Sequence, residues 1–405
     1  MLIERNIYLN KLISYKDTEL IKVITGIRRS GKSILLFNLY YNYLIQEGIK
    51  SKYIIKIDLE TQSNKKLRNA EELYNYIINK IIDKDKYYIF IDEIQLVEEF
   101  EDIVNGIKKE YNCDIYITGS NSKLLSKDIN TKLRGRSIEI KVYPLTFKEY
   151  YSYKNEDINK AYNEYMLYGG LPYLLQEENN DLKIEYLNMI CNTVVIKDII
   201  DRYKIKNTIV FEAVFDFLCS NIGSIVSANK ITNTLKSNGY KIISVEAVDN
   251  YLNYLCDSYL FYKVYRYDIK GKEYLKTLNK YYISDLGIRN SRLNYRQLEV
   301  THTLENIIYL ELISRGYTVD IGKNDIKEID FIAKNNKDTY YIQVAYSIVD
   351  SDKRKQELDS FKKIDDGYKK IIITMDNDPY NLLENGYKKL NVFDFLLNTD
   401  ILEQI

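Results

Sequence analysis

The chain has 405 residues, which is enough for about three domains because compact domains average roughly 150 residues. Its 58 Lys and Arg balance 58 Asp and Glu, which excludes a uniformly basic protein that holds nucleic acid through its overall field. The cysteines are widely separated and there is a single histidine, which argues against structural zinc and a Ser/His/Asp triad. No apolar run approaches the roughly 18 residues of a membrane span. The sequence therefore predicts a cytoplasmic protein without membrane contact.

Short β-rich runs alternate with longer helical stretches in the first part of the chain, which predicts a parallel sheet covered by helices. Pro144 stops the last strand, and a mostly helical segment follows. We therefore predict an α/β core at 1–146 and a helical lid at 147–206. The predicted strands are Lys22–Thr25, Tyr53–Leu59, Tyr87–Ile91, Asp114–Thr118 and Ser137–Val142.

A glycine-rich segment, GIRRSGKS at 26–33, follows the first predicted strand and precedes a helical stretch. It fits G-x-x-x-x-G-K-[ST], the phosphate-binding loop, in which backbone N–H groups and a helix N-terminus face phosphate oxygens. Lys32 would reach the β and γ phosphates, and Ser33 would hold Mg²⁺. ATP and Mg²⁺ are thus the expected ligands, and an ordinary glycine turn is the alternative. The residues assigned to the nucleotide are Gly26, Arg29, Ser30, Gly31, Lys32, Ser33 and Ile34.

Two carboxylates, Asp92 and Glu93, follow the apolar strand at 87–91. Ligands of open α/β sheets bind at the carboxyl ends of the strands. Asp92 suits the Mg²⁺ shell, and Glu93 suits removal of a proton from the attacking water. The adjacent pair favours hydrolysis over passive binding, although both residues could simply open the next helix.

The strand at 114–118 ends in Gly119, Ser120 and Asn121. If it lies between the other two strands, Ser120 or Asn121 would approach the γ-phosphate and orient water. An ordinary turn fits the same residues.

Two arginines, Arg134 and Arg136, precede the last strand of this domain. Either could reach the γ-phosphate of a neighbouring subunit as an arginine finger, which would require an oligomer. Solvated surface arginines are the alternative.

Three amphipathic helical runs and two Tyr-rich strands occupy 207–297 and predict a winged helix. Its third helix, Ser244–Asp257, has acidic and no basic residues, which argues against major-groove reading. The segment Lys263–Lys280 carries six basic and two acidic residues, a net of +6 − 2 = +4. This wing could touch a DNA backbone without reading sequence, or could be a solvated ribbon.

The last segment, 298–405, predicts a small separate α/β domain. Glu305, Asp330 and Gln343 are spaced like the E…D…(E/Q)xK residues of restriction-endonuclease-like folds, which bind a divalent metal. The expected lysine is Ala345, and Gln343 is a neutral ligand, so we expect a retained fold without nuclease activity. Lys327 is a possible substitute for the lysine.

Several motifs in order resemble the bacterial and archaeal AAA-like ATPases distantly related to the Orc/Cdc6 group: ITGIRRSGKS, FIDEIQ, ITGSNSKLL, LRGR, YPLTFKEY and YGGLPY. Downstream stretches such as NKYYISDLGIRN and KEIDFIA look like the domain of unknown function usually fused to that ATPase. The resemblance implies an AAA-type sheet with a helical lid, ATP and Mg²⁺. It implies that Lys32 and Ser33 act on phosphate and metal, Asp92 and Glu93 on metal and water, and Asn121 as the sensor.

The sequence thus predicts an ATPase in which Mg²⁺-dependent hydrolysis drives a conformational switch, with Glu93, Lys32, Asn121 and Arg136 as catalytic residues. One alternative is a DNA-associated ATPase or degenerate nuclease that contacts the nucleic-acid backbone. Another is a slowly hydrolysing nucleotide switch that signals to protein partners.

Overall fold

The computed structural model divides into two compact units, each described here by itself. The first contains the chain up to Pro144 together with Asp257–Tyr259, and the second contains Leu145–Cys256 and Leu260 onward. The described residues are 3–121, 133, 135–240, 244–296, 299–325, 327–362, 364–377 and 382–404, with only the backbone described at 193–195, 276, 277 and 384.

Five strands form the sheet of the first unit in the order β2-β3-β4-β1-β5, and every neighbouring pair is parallel. They are β1 (Ile21–Thr25), β2 (Ile54–Asp58), β3 (Tyr87–Asp92), β4 (Cys113–Gly119) and β5 (Ser137–Lys141). Each predicted strand agrees with its observed bounds to within one residue at either end. The predicted parallel sheet is therefore confirmed, and β4 lies between β3 and β1.

Helices cover both faces of this sheet, because its strands place apolar side chains alternately on the two sides. On one face Tyr88 and Phe90 of β3 join the core formed with α1 and α2, and on the other Ile89 and Ile91 join that of α3 and α4. The helices are α1 (Asn6–Ser14), α2 (residues 32–46, π-helical over Leu35–Tyr40), α3 (Ala70–Lys80) and α4 (Phe100–Glu110). Short 3-10 turns occupy Ser51–Tyr53, Gln62–Arg68 and Ile94–Leu96.

The second unit contains one eight-stranded mixed sheet in the order β13-β12-β11-β10-β9-β7-β8-β6. Its strands are β6 (Ile225–Val226), β7 (Phe261–Asp268), β8 (Glu273–Ile283), β9 (Thr318–Asn324), β10 (Lys327–Lys334), β11 (Thr339–Val344), β12 (Lys369–Thr374) and β13 (Lys388–Asn391). Parallel pairing of β7 with β9 joins the predicted wing to the C-terminal strands. The sequence predicts separate domains here, but the structure continues one sheet through both, because pairing between distant edge strands leaves no local sequence signal.

Helices of the second unit begin with the predicted lid, which contains α5 (Phe147–Lys154), α6 (Ile158–Tyr168), α7 (Asn180–Met189, continued by a π-helical Ile190–Ile196) and α8 (Lys197–Tyr203). The three predicted winged-helix helices are α9 (Thr208–Ser220), α10 (Ala228–Ser237) and α11 (Val245–Asp257). The remaining helices are α12 (Leu286–Arg292), α13 (Val300–Ser314), α14 (Ser351–Leu358), α15 (Val392–Leu397) and α16 (Ile401–Gln404). Single 3-10 turns lie at Pro172–Leu175, Asp359–Phe361 and Glu384–Gly386.

The lid segment is tied to α12 by buried polar contacts. The Asp285 carboxylate accepts the Gly170 N–H at 2.8 Å and the Ile288 N–H at 3.1 Å, so it caps α12 and fixes the Gly-Gly turn together. The Asn290 amide donates to the carbonyls of Met166 and Leu167, both at 2.9 Å. Lid and α12 therefore form one packed body within this unit.

Candidate nucleotide-binding site

The loop at 26–33 adopts left-handed backbone conformations at Gly26, Arg29 and Gly31, with φ values of 140°, 68° and 95°. A Cβ atom on Gly26 would lie 2.0 Å from the Val142 carbonyl oxygen, so only glycine lets the loop pass this close to the end of β5. Gly31 is the N-cap of α2 and directs the helix N-terminus into the loop. The geometry is that of an anion-binding loop at a helix start.

The Lys32 ammonium is buried and donates to the carbonyl oxygens of Gly26 and Ile27, both at 3.0 Å. Burial lowers its pKa, against the opposing charges of Glu93 and Asp92. The ammonium thus binds carbonyl groups of its own loop.

Asp92 lies at the end of β3 and joins two hydroxyl groups. The Ser33 hydroxyl donates to Asp92 Oδ2 at 2.7 Å, and the Thr118 hydroxyl donates to Oδ1. Burial raises the pKa of the Asp92 carboxyl, and the hydrogen bonds from Thr118 and Ser33 oppose that rise. The sequence predicts Ser33 and Asp92 as site residues but assigns no role to Thr118. The feature that could have indicated Thr118 is a hydroxyl group at the end of the neighbouring strand.

The Glu93 carboxylate is buried beside Asp92 and is held by neighbours from two segments. Its Oε2 atom accepts a hydrogen bond from the Ser120 hydroxyl at 3.3 Å and one from the Gln95 amide. The backbone at Glu93 is left-handed, with φ of 53°, and its N–H donates to the Thr118 hydroxyl at 3.0 Å. Sequence reasoning missed Gln95, which lies two residues beyond the carboxylate that it contacts.

The other predicted residues lie at both ends of the strands, some at the carboxyl ends beside the loop and one at the opposite ends. Asn121 is buried just beyond β4, on the same edge as the loop, whereas Arg29 and Ile34 are exposed on the loop and the first turn of α2. Arg136 is exposed, and its carbonyl accepts the N–H of Ile21 at the start of β1. The structure therefore places Arg136 at the far edge, roughly 15 Å along the strand from the loop of the same chain. Arg134 lies outside the described residues.

Oxygen ligands suited to Mg²⁺ are present where the sequence predicts them. Ser33 Oγ and Asp92 Oδ2 lie only 2.7 Å apart, and both are hard oxygen ligands of the kind that Mg²⁺ prefers. The ion usually keeps phosphate and water as its other ligands. The residues thus fit the ion.

The second unit brings Glu305 and Asp330 together around a lysine that sequence reasoning did not assign. The Lys280 ammonium, from β8, lies 2.9 Å from Glu305, 2.8 Å from Glu328 and 3.7 Å from Asp330. Although burial opposes the charged form, these carboxylates raise the pKa of Lys280. Burial and the charge of Glu305 raise the pKa of Asp330 to about 8.

Gln343 lies at the border of this cluster, where its Oε1 atom accepts the Asp330 N–H at 3.4 Å. Lys327, the substitute lysine considered above, instead pairs with Asp359 at 3.4 Å. Throughout the described ranges, no group of three or more His, Cys, Asp and Glu residues is arranged to hold a metal ion.

The basic wing is partly compensated by acidic neighbours. Besides Lys280, Arg266 lies 3.9 Å from Glu328, and Lys270 lies 2.6 Å from Asp325. Less positive charge therefore faces outward than the net of +4 predicts.

Two parts of the chain match known families. Residues 18–151 match the family described as "AAA domain", and residues 159–299 match "Domain of unknown function (DUF8612)". An uncharacterized protein of Haemophilus influenzae is 42% identical over 403 residues, covering 98% of this chain and 99% of that protein. Uncharacterized protein MJ1544 of Methanocaldococcus jannaschii is 31% identical over 392 residues, covering 92% of this chain and 85% of that protein. The chain belongs to the family of these two proteins.

A solved structure is similar to this chain in fold. The Walker-type ATPase of Pyrococcus abyssi superposes with a TM-score of 0.51 at 16% identity, covering 72% of this chain and 96% of that chain. The match of residues 18–151 to the AAA-domain family supports the P-loop ATPase-like domain that the sequence resemblance implies, and this superposition supports its fold. Among the described residues, no helix is both long and apolar enough to cross a membrane.

Proposed function

We propose that this protein is an ATPase in which Mg²⁺-dependent hydrolysis of ATP drives a conformational switch. The observation that supports this most is the buried group at one sheet edge, where Ser33 contacts Asp92 at 2.7 Å beside Lys32 and Glu93. A phosphate loop, a metal-binding pair and an adjacent carboxylate base are what phosphoanhydride hydrolysis requires.

Nucleotide binding would use the loop and the start of α2. The N–H groups of residues 29–33 and the positive end of the helix favour the triphosphate. Lys32 would exchange its two carbonyl partners for phosphate oxygens, which are charged and therefore better acceptors. Ser33 and Asp92 would hold Mg²⁺, which when bound neutralises charge on the β and γ phosphates.

Glu93 would accept the proton of the attacking water. Its hydrogen bonds from Ser120 and Gln95 fix the carboxylate, and fixed groups lose less freedom when the reacting water is aligned. Asn121, on the same edge, would orient that water as the sensor. Arg136 lies too far from its own loop, so its action as an arginine finger would require the γ-phosphate of a second copy.

The conformational switch would use the lid segment. Because Asp285 and Asn290 bind the lid turn and the end of α6, a displacement of the lid moves α12 and the adjoining end of β8 with it. ATP hydrolysis could thus reach the C-terminal sheet through bonds inside the second unit.

The experiment that tests this function compares ATP binding and steady-state turnover of the wild type, K32A and the exposed-lysine control K50A. We expect K32A to lose ATP affinity by at least about tenfold, since charged hydrogen bonds contribute roughly 1.5–3 kcal/mol. K50A should match the wild type, and chelation of Mg²⁺ should abolish turnover. Equal affinity of K32A and K50A would contradict the proposal.

A further inference from the structure

Arg5 links the phosphate-binding loop to the end of β5. Its side chain is buried, and its Nη1 atom donates to the Ser30 carbonyl at 3.0 Å while Nη2 donates to the Tyr143 carbonyl at 2.7 Å. The guanidinium carbon lies 4.6 Å from the centre of the Tyr8 ring, and the Tyr8 hydroxyl accepts the N–H of Tyr143 at 3.3 Å. The arginine is therefore fixed on two sides.

The contact with Ser30 determines where one loop N–H points. In a trans peptide the carbonyl and the following N–H point in opposite directions. Because the Ser30 carbonyl faces Arg5, the N–H of Gly31 faces away from Arg5. Arg29 and Gly31, on either side of Ser30, have left-handed backbone conformations, and such conformations help to gather successive N–H groups into an anion-binding concavity.

We propose that Arg5 is a positioning residue for the nucleotide: it holds the Ser30–Gly31 peptide with the Gly31 N–H directed at the bound phosphates. The inference rests on the proposed function, since it names a further residue of the same site. Arg5 does not touch the nucleotide itself, and acts through the loop.

A guanidinium suits this role better than other side chains. Its planar fork presents two donors at a fixed separation, so it can hold the carbonyls of Ser30 and Tyr143 simultaneously. A lysine at this position is a flexible point charge that cannot hold both with the same geometry. The positive charge behind the loop also favours a polyphosphate in front of it.

The test measures ATP affinity in the presence of Mg²⁺ by titration calorimetry, together with the unfolding temperature and kcat, for full-length R5M and R5K. We expect ATP affinity to fall about tenfold to a hundredfold in R5M and by less in R5K, because hydrogen bonds from charged donors are lost. R68M is the matched control. Arg68 also donates to two backbone carbonyls of the first unit, Leu59 at 2.8 Å and Glu60 at 3.3 Å, so its loss should lower the unfolding temperature and leave ATP affinity within about twofold.

Folded R5M that binds ATP as tightly as the wild type would overturn the role of Arg5, whereas loss of affinity in R5M but not in R68M supports it. If R5M does not fold, R5K decides, because wild-type affinity in R5K would also overturn the role. The K32A variant separates the two proposals: if K32A loses affinity and R5M does not, only the Arg5 assignment fails. A wild-type protein that binds no ATP would overturn the proposed function and the Arg5 role with it.

Discussion

Replacement of Lys280 by Met tests how much the Lys280 ammonium contributes to the stability of the second unit. The substitution keeps an apolar side chain of similar length but removes the ammonium that contacts Glu305 at 2.9 Å and Glu328 at 2.8 Å. Each of these charged hydrogen bonds contributes about 1.5–3 kcal/mol, and breaking a buried ion pair typically costs about 3–5 kcal/mol. We therefore expect K280M to lower the free energy of unfolding by about 3–5 kcal/mol.

Urea unfolding followed by tyrosine fluorescence and circular dichroism measures this change, because the chain has 41 Tyr and no Trp. In thermal unfolding, the same loss corresponds to roughly 6–20 °C for a unit of this size. K272M is the matched control: Lys272 lies exposed in the turn between β7 and β8, and its loss should change stability by less than about 0.5 kcal/mol. Equal stability of K280M and K272M would refute the reasoning and show that the carboxylates are neutralised in another way.

The pH dependence of the same cluster gives an independent check. The pKa of Asp330 rises from 3.8 to about 8 in the folded protein. Between these values the native state binds a proton that the unfolded chain has released, so this group makes stability fall as the pH rises from about 4 to about 8. D330N should remove that part of the pH dependence, and an unchanged profile would show that Asp330 is ionised in the native state.

Three other predictions concern the site, the lid and the wing. T118V keeps the shape of Thr118 but removes the hydroxyl that binds both the Asp92 carboxylate and the Glu93 N–H. The kcat for ATP hydrolysis should therefore fall about tenfold or more, and an unchanged kcat would show that Thr118 is not part of the site. In D285N the amide N–H₂ group would face one of the two N–H donors, Gly170 or Ile288, that now bind the Asp285 carboxylate. The free energy of unfolding should therefore fall by about 1–3 kcal/mol in chemical unfolding, and an unchanged midpoint would contradict the buried contacts. Three of the six basic side chains of the wing, Arg266, Lys270 and Lys280, have carboxylate partners. If the wing binds DNA, the slope of log affinity against log salt should therefore not exceed about 3 in magnitude, and a steeper slope would refute the charge assignment.

The sheet of the first unit could be predicted closely from the sequence, because its strands are continuous apolar runs with clear breaks between them. Asp92 and Glu93 follow such a run, and the loop motif fixes Lys32 and Ser33, so these residues could be assigned to one sheet edge. The partners that orient them were harder to find. Thr118 and Gln95 are common residue types at positions with no motif, and their contacts depend on strand order and side-chain direction.

Long-range pairing limited the prediction of the second unit. Glu305 and Asp330 were identified from spacing, but the cation that faces them, Lys280, comes from a strand that was assigned to the wing. Its contact depends on the β7–β9 pairing, which joins segments that the sequence predicts as separate domains. Arg5 was missed for a related reason, since its two carbonyl partners at Ser30 and Tyr143 are backbone groups without any sequence signature.

The most direct test of the central claim is single-turnover hydrolysis of Mg²⁺·ATP by E93Q, with E98Q as the exposed-acid control. If Glu93 is the base, E93Q should retain ATP affinity while its hydrolysis rate falls by at least about a hundredfold, the typical contribution of a general base. E98Q should hydrolyse ATP like the wild type. Equal single-turnover rates in E93Q and wild type would contradict the account, and slow hydrolysis with tight retention in the wild type itself would favour the nucleotide switch instead.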